Sequence, residues 1–164
     1  MVDGPGFRTS IYCAGCRHAC PGCHNPQSWN FNGGREMTVE EIMRIIEADP
    51  YANVTFSGGD PMYQAAGFAE LAGEIHRRTQ KDIWCYTGFR FEQLIHPDQR
   101  ELLEQIDVLV DGPFVQSLRD ESLLFRGSSN QRIIDIPSTL YEGKVILWKD
   151  RSREGLQDSF PLSR

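Results

Sequence analysis

The stretch Asn53-Val54-Thr55-Phe56-Ser57-Gly58-Gly59-Asp60-Pro61 decides the fold. A β-branched and aromatic run reads as a strand, and it breaks off at Gly-Gly and Asp-Pro, which are turn dipeptides. Gly67 to Gln80 then reads as a helix, with Phe68, Leu71, Ala72 and Ile75 on its inner face. Asp82-Ile83-Trp84-Cys85-Tyr86-Thr87 is a second strand, ended by Gly88. Upstream, Arg8 to Cys13 is a strand that runs into a cysteine-rich loop. Thr38 opens a helix with a capping box to Glu41, and Val39, Ile42, Met43, Ile45 and Ile46 fall on one face. Gln99 to Gln105 is helical, and Asp107 to Val110 is a strand ended by Asp111-Gly112-Pro113-Phe114. Arg132 to Ile136 and Lys144 to Trp148 are further strand candidates. Strands that alternate with helices predict an α/β fold with a parallel sheet and helical crossovers. Ligands in such folds sit beyond the carboxyl ends of the strands. The cysteine loop, Gly58-Gly59-Asp60, Thr87-Gly88 and Asp111-Gly112-Pro113 each follow a strand, so one rim is expected to gather all four.

The 164 residues suit one domain, read here as a core of residues 1–149 and a polar tail of residues 150–164. A net charge of −6 argues against non-specific binding to nucleic acid. No apolar run approaches a membrane span. Met1 to Gly6 has neither a basic region nor an apolar core, so the expected location is cytoplasmic, with no membrane and no nucleic-acid partner. Of the 5 cysteines, four lie between Cys13 and Cys23. An odd, clustered set points to metal or redox chemistry rather than to a disulfide scaffold.

The spacing within that cluster is Cys16-x-x-x-Cys20-x-x-Cys23, with Pro21 and Gly22 bending the loop back. Four cysteines would complete the coordination of a 4Fe–4S cluster, which then only carries electrons. Three leave one iron open, by the same logic that distinguishes catalytic from structural zinc. Spacing alone leaves several readings open. One is the three-cysteine cluster; another is a four-cysteine ferredoxin-type cluster that uses Cys13. A third is structural zinc with Cys13 or His24 as fourth ligand, and the last is a set of ordinary buried thiols. A zinc ribbon usually draws on a second cysteine pair, and none is present; Cys85 stands alone in a strand as a plain apolar residue.

Asp3-Gly4-Pro5-Gly6-Phe7-Arg8 followed by Gly15-Cys16-Arg17-His18-Ala19-Cys20-Pro21-Gly22-Cys23-His24-Asn25 resembles the opening of glycyl-radical-enzyme activases, a family of radical S-adenosylmethionine enzymes. The resemblance runs from about Val2 to Ile134. It implies a parallel-sheet partial (β/α) barrel and one 4Fe–4S cluster on Cys16, Cys20 and Cys23. The fourth iron would take the methionine moiety of S-adenosylmethionine, with Gly22, Cys23 and His24 beside this cofactor and Gly58, Gly59 and Asp60 at its amino group. It also implies reductive cleavage of S-adenosylmethionine and removal of a hydrogen from a glycine of a protein partner. The short chain and the run Arg126-Gly127-Ser128-Ser129-Asn130-Gln131-Arg132 are similar to the branch that acts on anaerobic ribonucleoside-triphosphate reductase, with a low-potential donor such as flavodoxin supplying electrons. Activators of pyruvate formate-lyase share the opening motif but are generally longer. An electron-transfer or zinc-binding module is the non-enzyme rival.

Blander accounts stand beside these. The Gly58-Gly59-Asp60 segment reads equally as a tight turn, and Trp84 to Phe89 as core strand and turn. The 126–132 run reads either as a solvated loop or as a site for ligand polar groups. Arg8, Arg17 and Arg35 are surface charges or contacts to partner or cofactor. Arg77, Arg78 and Lys81 read as a solvated helix end.

Overall fold

The computed structural model describes residues 3–153. Five strands form one sheet in the order β1-β2-β3-β4-β5: β1 is Arg8–Cys13, β2 Asn53–Gly58, β3 Ile83–Tyr86, β4 Val108–Asp111 and β5 Arg132–Asp135. The helices are α1 Val39–Ala48, α2 Ala65–Arg78, α3 Pro97–Gln105 and α4 Ile136–Glu142. Strands β1 to β4 pair in parallel, as the alternation predicts. Strand β5 is antiparallel to β4, with Val110 opposite Ile133, which corrects the expectation of a wholly parallel sheet. The reason lies in residues 112–131, which contain no α-helix. An antiparallel neighbour needs no crossover helix, so the chain turns back at the same end and descends. Strands β1 and β5 remain the two edges. No barrel closes among the described residues, and the observed architecture is an open, mixed α/β sheet.

All four helices lie on one face. Val54, Phe56, Ile83, Cys85, Leu109 and Ile134 from the sheet form one core with helix residues such as Met43, Leu71, Ile75, Leu103 and Ile136. Helix α2 buries Phe68, Leu71, Ala72 and Ile75 at i, i+3, i+4 and i+7. Each large side chain of this kind contributes about 1.5–3 kcal/mol on burial. The capping box at Thr38 and Glu41 forms as expected. Ile45 does not join the inner stripe and is 51% exposed, because it lies six residues from Val39, on the far side of the helix.

The opposite face of the sheet carries a smaller cluster, in which Trp84, Val108 and Val110 meet Phe125 and Trp148. The expected strand over Lys144 to Trp148 reduces to one bridge between Ile134 and Leu147, flanked by backbone bonds from Asp135 and Trp148. The sequence reading also missed α4, whose Asp135 cap accepts from the Ser138 N–H at 3.0 Å and whose chain exits through Gly143 in the left-handed region. Lys81 is buried rather than solvated. Its ammonium donates to the Asp49 carbonyl at 2.6 Å and to the Ala52 carbonyl, just past the end of α1. Of the proposed polar tail, Arg151–Arg153 form a short 3-10 turn, and residues 154–164 lie outside the described residues. No described helix is long and apolar enough to cross a membrane.

An ion network ties the last two strands to the loop after β3. Arg132 reaches the buried Asp111 carboxylate and also donates to Glu92 at 3.0 and 2.8 Å. The hydrogen bond from Arg132, then a bond from its own backbone N–H, hold the Glu92 carboxyl down at about 2. Its side chain is 54% exposed, so solvent screens the pair to under about 1 kcal/mol. Arg132→Ala should lower the unfolding free energy by about 2–4 kcal/mol, because Asp111 stays buried without its cation. Glu92→Gln should cost under about 1 kcal/mol at pH 7. A depressed carboxyl stabilises above its ordinary value of 4.5, and that contribution is lost as pH falls from there toward about 2. Urea unfolding across that range should show the gap between Glu92→Gln and wild type closing, and equal losses for the two variants at pH 7 would refute this ranking.

Candidate iron–sulfur site

Parallel pairing brings the ends of β1 to β4 to one rim, where the four loops meet. Cys13 pairs with Gly58 at the tip of β1 and β2. Beyond it, the Gly59 N–H donates to the Cys13 carbonyl at 2.8 Å and the Asp60 N–H to the Gly15 carbonyl at 2.9 Å, so the two loops leave the sheet in contact. The cysteine loop then closes on itself. Gly15 N–H donates to the Ser28 carbonyl at 2.7 Å and Cys16 N–H to the Trp29 carbonyl at 3.2 Å. Within the ring so formed lie Cys16, Cys20 and Cys23, all half-buried, with a tight turn from the Cys23 N–H to the Cys20 carbonyl at 3.1 Å.

The other two cysteines are withdrawn. Cys13 and Cys85 are buried in the helix-side core. Burial, and then the Asp60 charge, push the Cys13 thiol up to about 12; burial raises Cys85 further. Cys16 is raised more mildly by partial burial, offset by the backbone N–H of His18. Among the described residues, no three Cys, His, Asp or Glu side chains converge closely enough to hold a single metal ion. A 4Fe–4S cluster takes its thiolates at separate irons, and three partly accessible thiols on one closed loop suit that larger group.

Asp60 is 1% exposed, and its carboxylate collects donors from three segments. Oδ1 accepts from the Met62 N–H at 2.9 Å. Oδ2 accepts from the Thr87 hydroxyl and the Gly88 N–H, both at 2.9 Å, and lies 2.6 Å from His18 Nε2. This carboxylate is spent inside the protein. The glycines before it serve close packing. A Cβ on Gly59 would overlap the Gly15 backbone, and one on Gly58, at φ 104°, would overlap that of Cys13.

At the far side of the loop, Gly22 and His24 are exposed. His24 meets Phe114 edge-on at 5.3 Å, and Gly22 faces Gln116, both from the segment after β4. The polar 126–132 run folds onto the same segment. Gln131 accepts from the Gly127 and Ser128 N–H groups and donates to the Gly112 carbonyl, and Asn130 donates to the Pro113 carbonyl. Arg8 is no surface charge. It bonds Thr55, the Val54 carbonyl and Asp82, and its side chain is 3% exposed. Arg17 lies over the Phe31 ring at 5.3 Å, and Arg35 is largely exposed. The sequence reading put Thr87 at the rim but gave neither it nor His18 a role in the site. Their signal was positional: one lies inside the cysteine spacing, the other at a strand end.

Gly59→Ala should therefore destabilise the protein by about 1–3 kcal/mol through overpacking against Gly15, and should lower its iron and sulfide content. Gly67→Ala is the control, since nothing meets a Cβ there and a helical Gly→Ala change gains about 0.5–1 kcal/mol. Melting temperature and iron analysis check both, and a Gly59→Ala protein with full stability and iron would refute the packing argument.

Known proteins place this arrangement. The family model described as "4Fe-4S single cluster domain" matches residues 2–134. A protein of Salmonella typhi named anaerobic ribonucleoside-triphosphate reductase-activating protein is 41% identical over 140 residues, which is 80% of this chain and 90% of the relative. Proteins of the same name from Escherichia coli (strain K12) and Enterobacteria phage T4 are 38% and 36% identical over 139 residues each, covering 80% and 81% of this chain and 90% and 86% of theirs. With a match over most of its length and relatives this similar, the chain belongs to the 4Fe–4S single cluster domain family, alongside the anaerobic ribonucleoside-triphosphate reductase-activating proteins.

Proposed function

We propose that this chain is the activase of an anaerobic ribonucleoside-triphosphate reductase and works by radical S-adenosylmethionine chemistry. The observation that carries the reading is the division of the cysteines. Cys16, Cys20 and Cys23 share one closed, accessible loop at the rim, while Cys13 and Cys85 are sealed in the core. Three ligands leave one iron free for a small molecule. When bound, the cluster supplies one electron that breaks a carbon–sulfur bond of the S-adenosylmethionine sulfonium, releasing methionine and a carbon radical that takes a hydrogen atom from a partner glycine.

The protein's own part is to bind, orient and exclude water. Sequential parallel strands with helices on one face suit a partial barrel, whose open face would receive S-adenosylmethionine beneath the cysteine loop. Gly22, Cys23 and His24 border that space, with Phe114 and Gln116 across from them. Because the Asp60 oxygens are already engaged, the amino group of S-adenosylmethionine falls to backbone carbonyls of the Gly58–Gly59 turn. Asp60 supports that turn from behind. The chain works in the cytoplasm, and a low-potential carrier such as flavodoxin reduces the cluster.

Anaerobic reconstitution with iron and sulfide, followed by reduction, should yield 5′-deoxyadenosine from S-adenosylmethionine. Adding the anaerobic reductase of the same organism should speed cleavage and give a glycyl radical by electron paramagnetic resonance. Cys16→Ala, Cys20→Ala and Cys23→Ala should each abolish cleavage, whereas Cys13→Ala and Cys85→Ala should retain it. Loss of the cluster in Cys13→Ala would indicate a closed four-cysteine site and defeat the enzyme reading. A radical on pyruvate formate-lyase but not on the reductase would defeat the partner assignment alone.

A further inference from the structure

The turn between Cys16 and Cys20 carries a side chain with an unusually complete seat. His18 Nε2 lies 2.6 Å from Asp60 Oδ2, and an ionised carboxylate only accepts, so Nε2 carries the proton and donates. The imidazole meets Phe89 edge-on, with centroids 4.5 Å apart, and Tyr63 at 5.6 Å. Gly88 leaves the remaining side bare, since a Cβ there would stand 2.5 Å from His18 Cδ2. Four residues from the two loops after β2 and β3 thus enclose one ring of the cysteine loop, and 17% of its side chain stays exposed. The next residue, Ala19, holds φ at 48°, in the left-handed region. That conformation is strained for a non-glycine residue, and it persists where the surroundings over-determine it. Cys20 follows directly.

We propose that His18 is a positioning residue: its bond to Asp60, within the seat made by Tyr63, Gly88 and Phe89, fixes the turn that carries Cys16 and Cys20 in the shape an iron–sulfur cluster takes. The inference rests on Cys16, Cys20 and Cys23 being the ligands. His18 touches no substrate and acts through the two thiolates that flank it. Supporting residues of this kind are worth about 10–100-fold in metal affinity.

Glutamine discriminates among the explanations. Its amide nitrogen reaches about as far from the backbone as Nε2, so His18→Gln keeps a donor for Asp60 and loses the ring, whereas His18→Ala loses both. The full chain is reconstituted anaerobically in each form. Iron release to a chelator, and the paramagnetic resonance spectrum and midpoint potential of the reduced cluster, are then measured. His18→Ala should release iron about tenfold or more faster than wild type, with a changed spectrum, and His18→Gln should recover most of both. Thermal unfolding of the iron-free chains should rank the two variants within a few degrees of each other, which separates positioning from general stability. Wild-type release, spectrum and potential in His18→Ala would overturn the proposal. Glutamine behaving as alanine in two folded proteins would overturn the role of the Asp60 bond. Should His18→Ala fail to fold, Gly88→Ala crowds the ring without removing it, and an unchanged cluster there overturns the proposal equally. Cys20→Ala run in parallel keeps the two readings apart. A retained cluster in that variant strikes the ligand assignment, whereas its loss beside an unaltered His18→Ala cluster strikes His18 alone.

Discussion

At the rim of the sheet, the buried carboxylate of Asp60 gathers a backbone N–H from its own loop, a hydroxyl and an N–H from the end of β3, and a ring nitrogen from the cysteine loop. Stranding a charge at 1% exposure costs several kcal/mol unless donors surround it. That penalty makes the arrangement cooperative. Removing one donor weakens the case for burying the carboxylate at all, so the three segments are placed together or not at all. The cysteine loop has no strand or helix of its own beyond the short turn Pro26–Ser28, and it takes its position from this anion and from the Gly15–Ser28 and Cys16–Trp29 closure.

Close backbone approach is the second half of the same constraint. Gly59 and Gly88 stand where any side chain would strike the cysteine loop, at Gly15 and at His18, and Gly58 where one would strike Cys13 at the end of β1. A carboxylate can reach three segments only if those segments lie within hydrogen-bond length, and the missing β-carbons allow that spacing. A sequence reading takes Gly58-Gly59-Asp60 as a turn that invites a ligand. In the fold, the glycines admit the cysteine loop and the aspartate holds it, so the segment builds the site before it borders any cofactor.

The sequence made the helix-side core legible, because period 3.6 in α2 and short apolar strands report burial directly. The capping box at Thr38 was equally plain, since its two partners lie three residues apart. What escaped was set by non-local geometry. Strand β5 runs antiparallel because residues 112–131 contain no crossover helix, and the direction of a four-residue strand leaves no mark in its composition. Lys81 looked like a helix-end charge because nothing local reveals the Asp49 and Ala52 carbonyls that receive it. For the site, the three cysteines followed from spacing and resemblance. Asp60 was singled out as a cofactor residue, but its bonds within the protein escaped, because those partners lie 27 and 42 residues away in the chain.

Asp111 repeats at β4 what Asp60 does at β2. It is also 1% exposed, accepts from the Phe91 N–H at 2.8 Å, and is paired by Arg132. Each of these aspartates reaches the loop that leaves β3, which lies between them, so that loop is pinned from both sides: Thr87 and Gly88 by one, Phe91 by the other. A rim fixed this way is ordered before any ligand arrives, which is what a ligand constellation needs if it is to be held to within about 0.5 Å. The support is uneven, however. Cys16 to Cys20 lie over the Asp60 side, where His18 meets a buried carboxylate and two aromatic rings. Gly22 to His24 lie beside the half-buried Phe114 ring and the exposed, neutral Gln116. One loop is therefore anchored by a buried carboxylate at His18 and by the Phe114 ring at His24, so the segments after β2, β3 and β4 all take part in placing it.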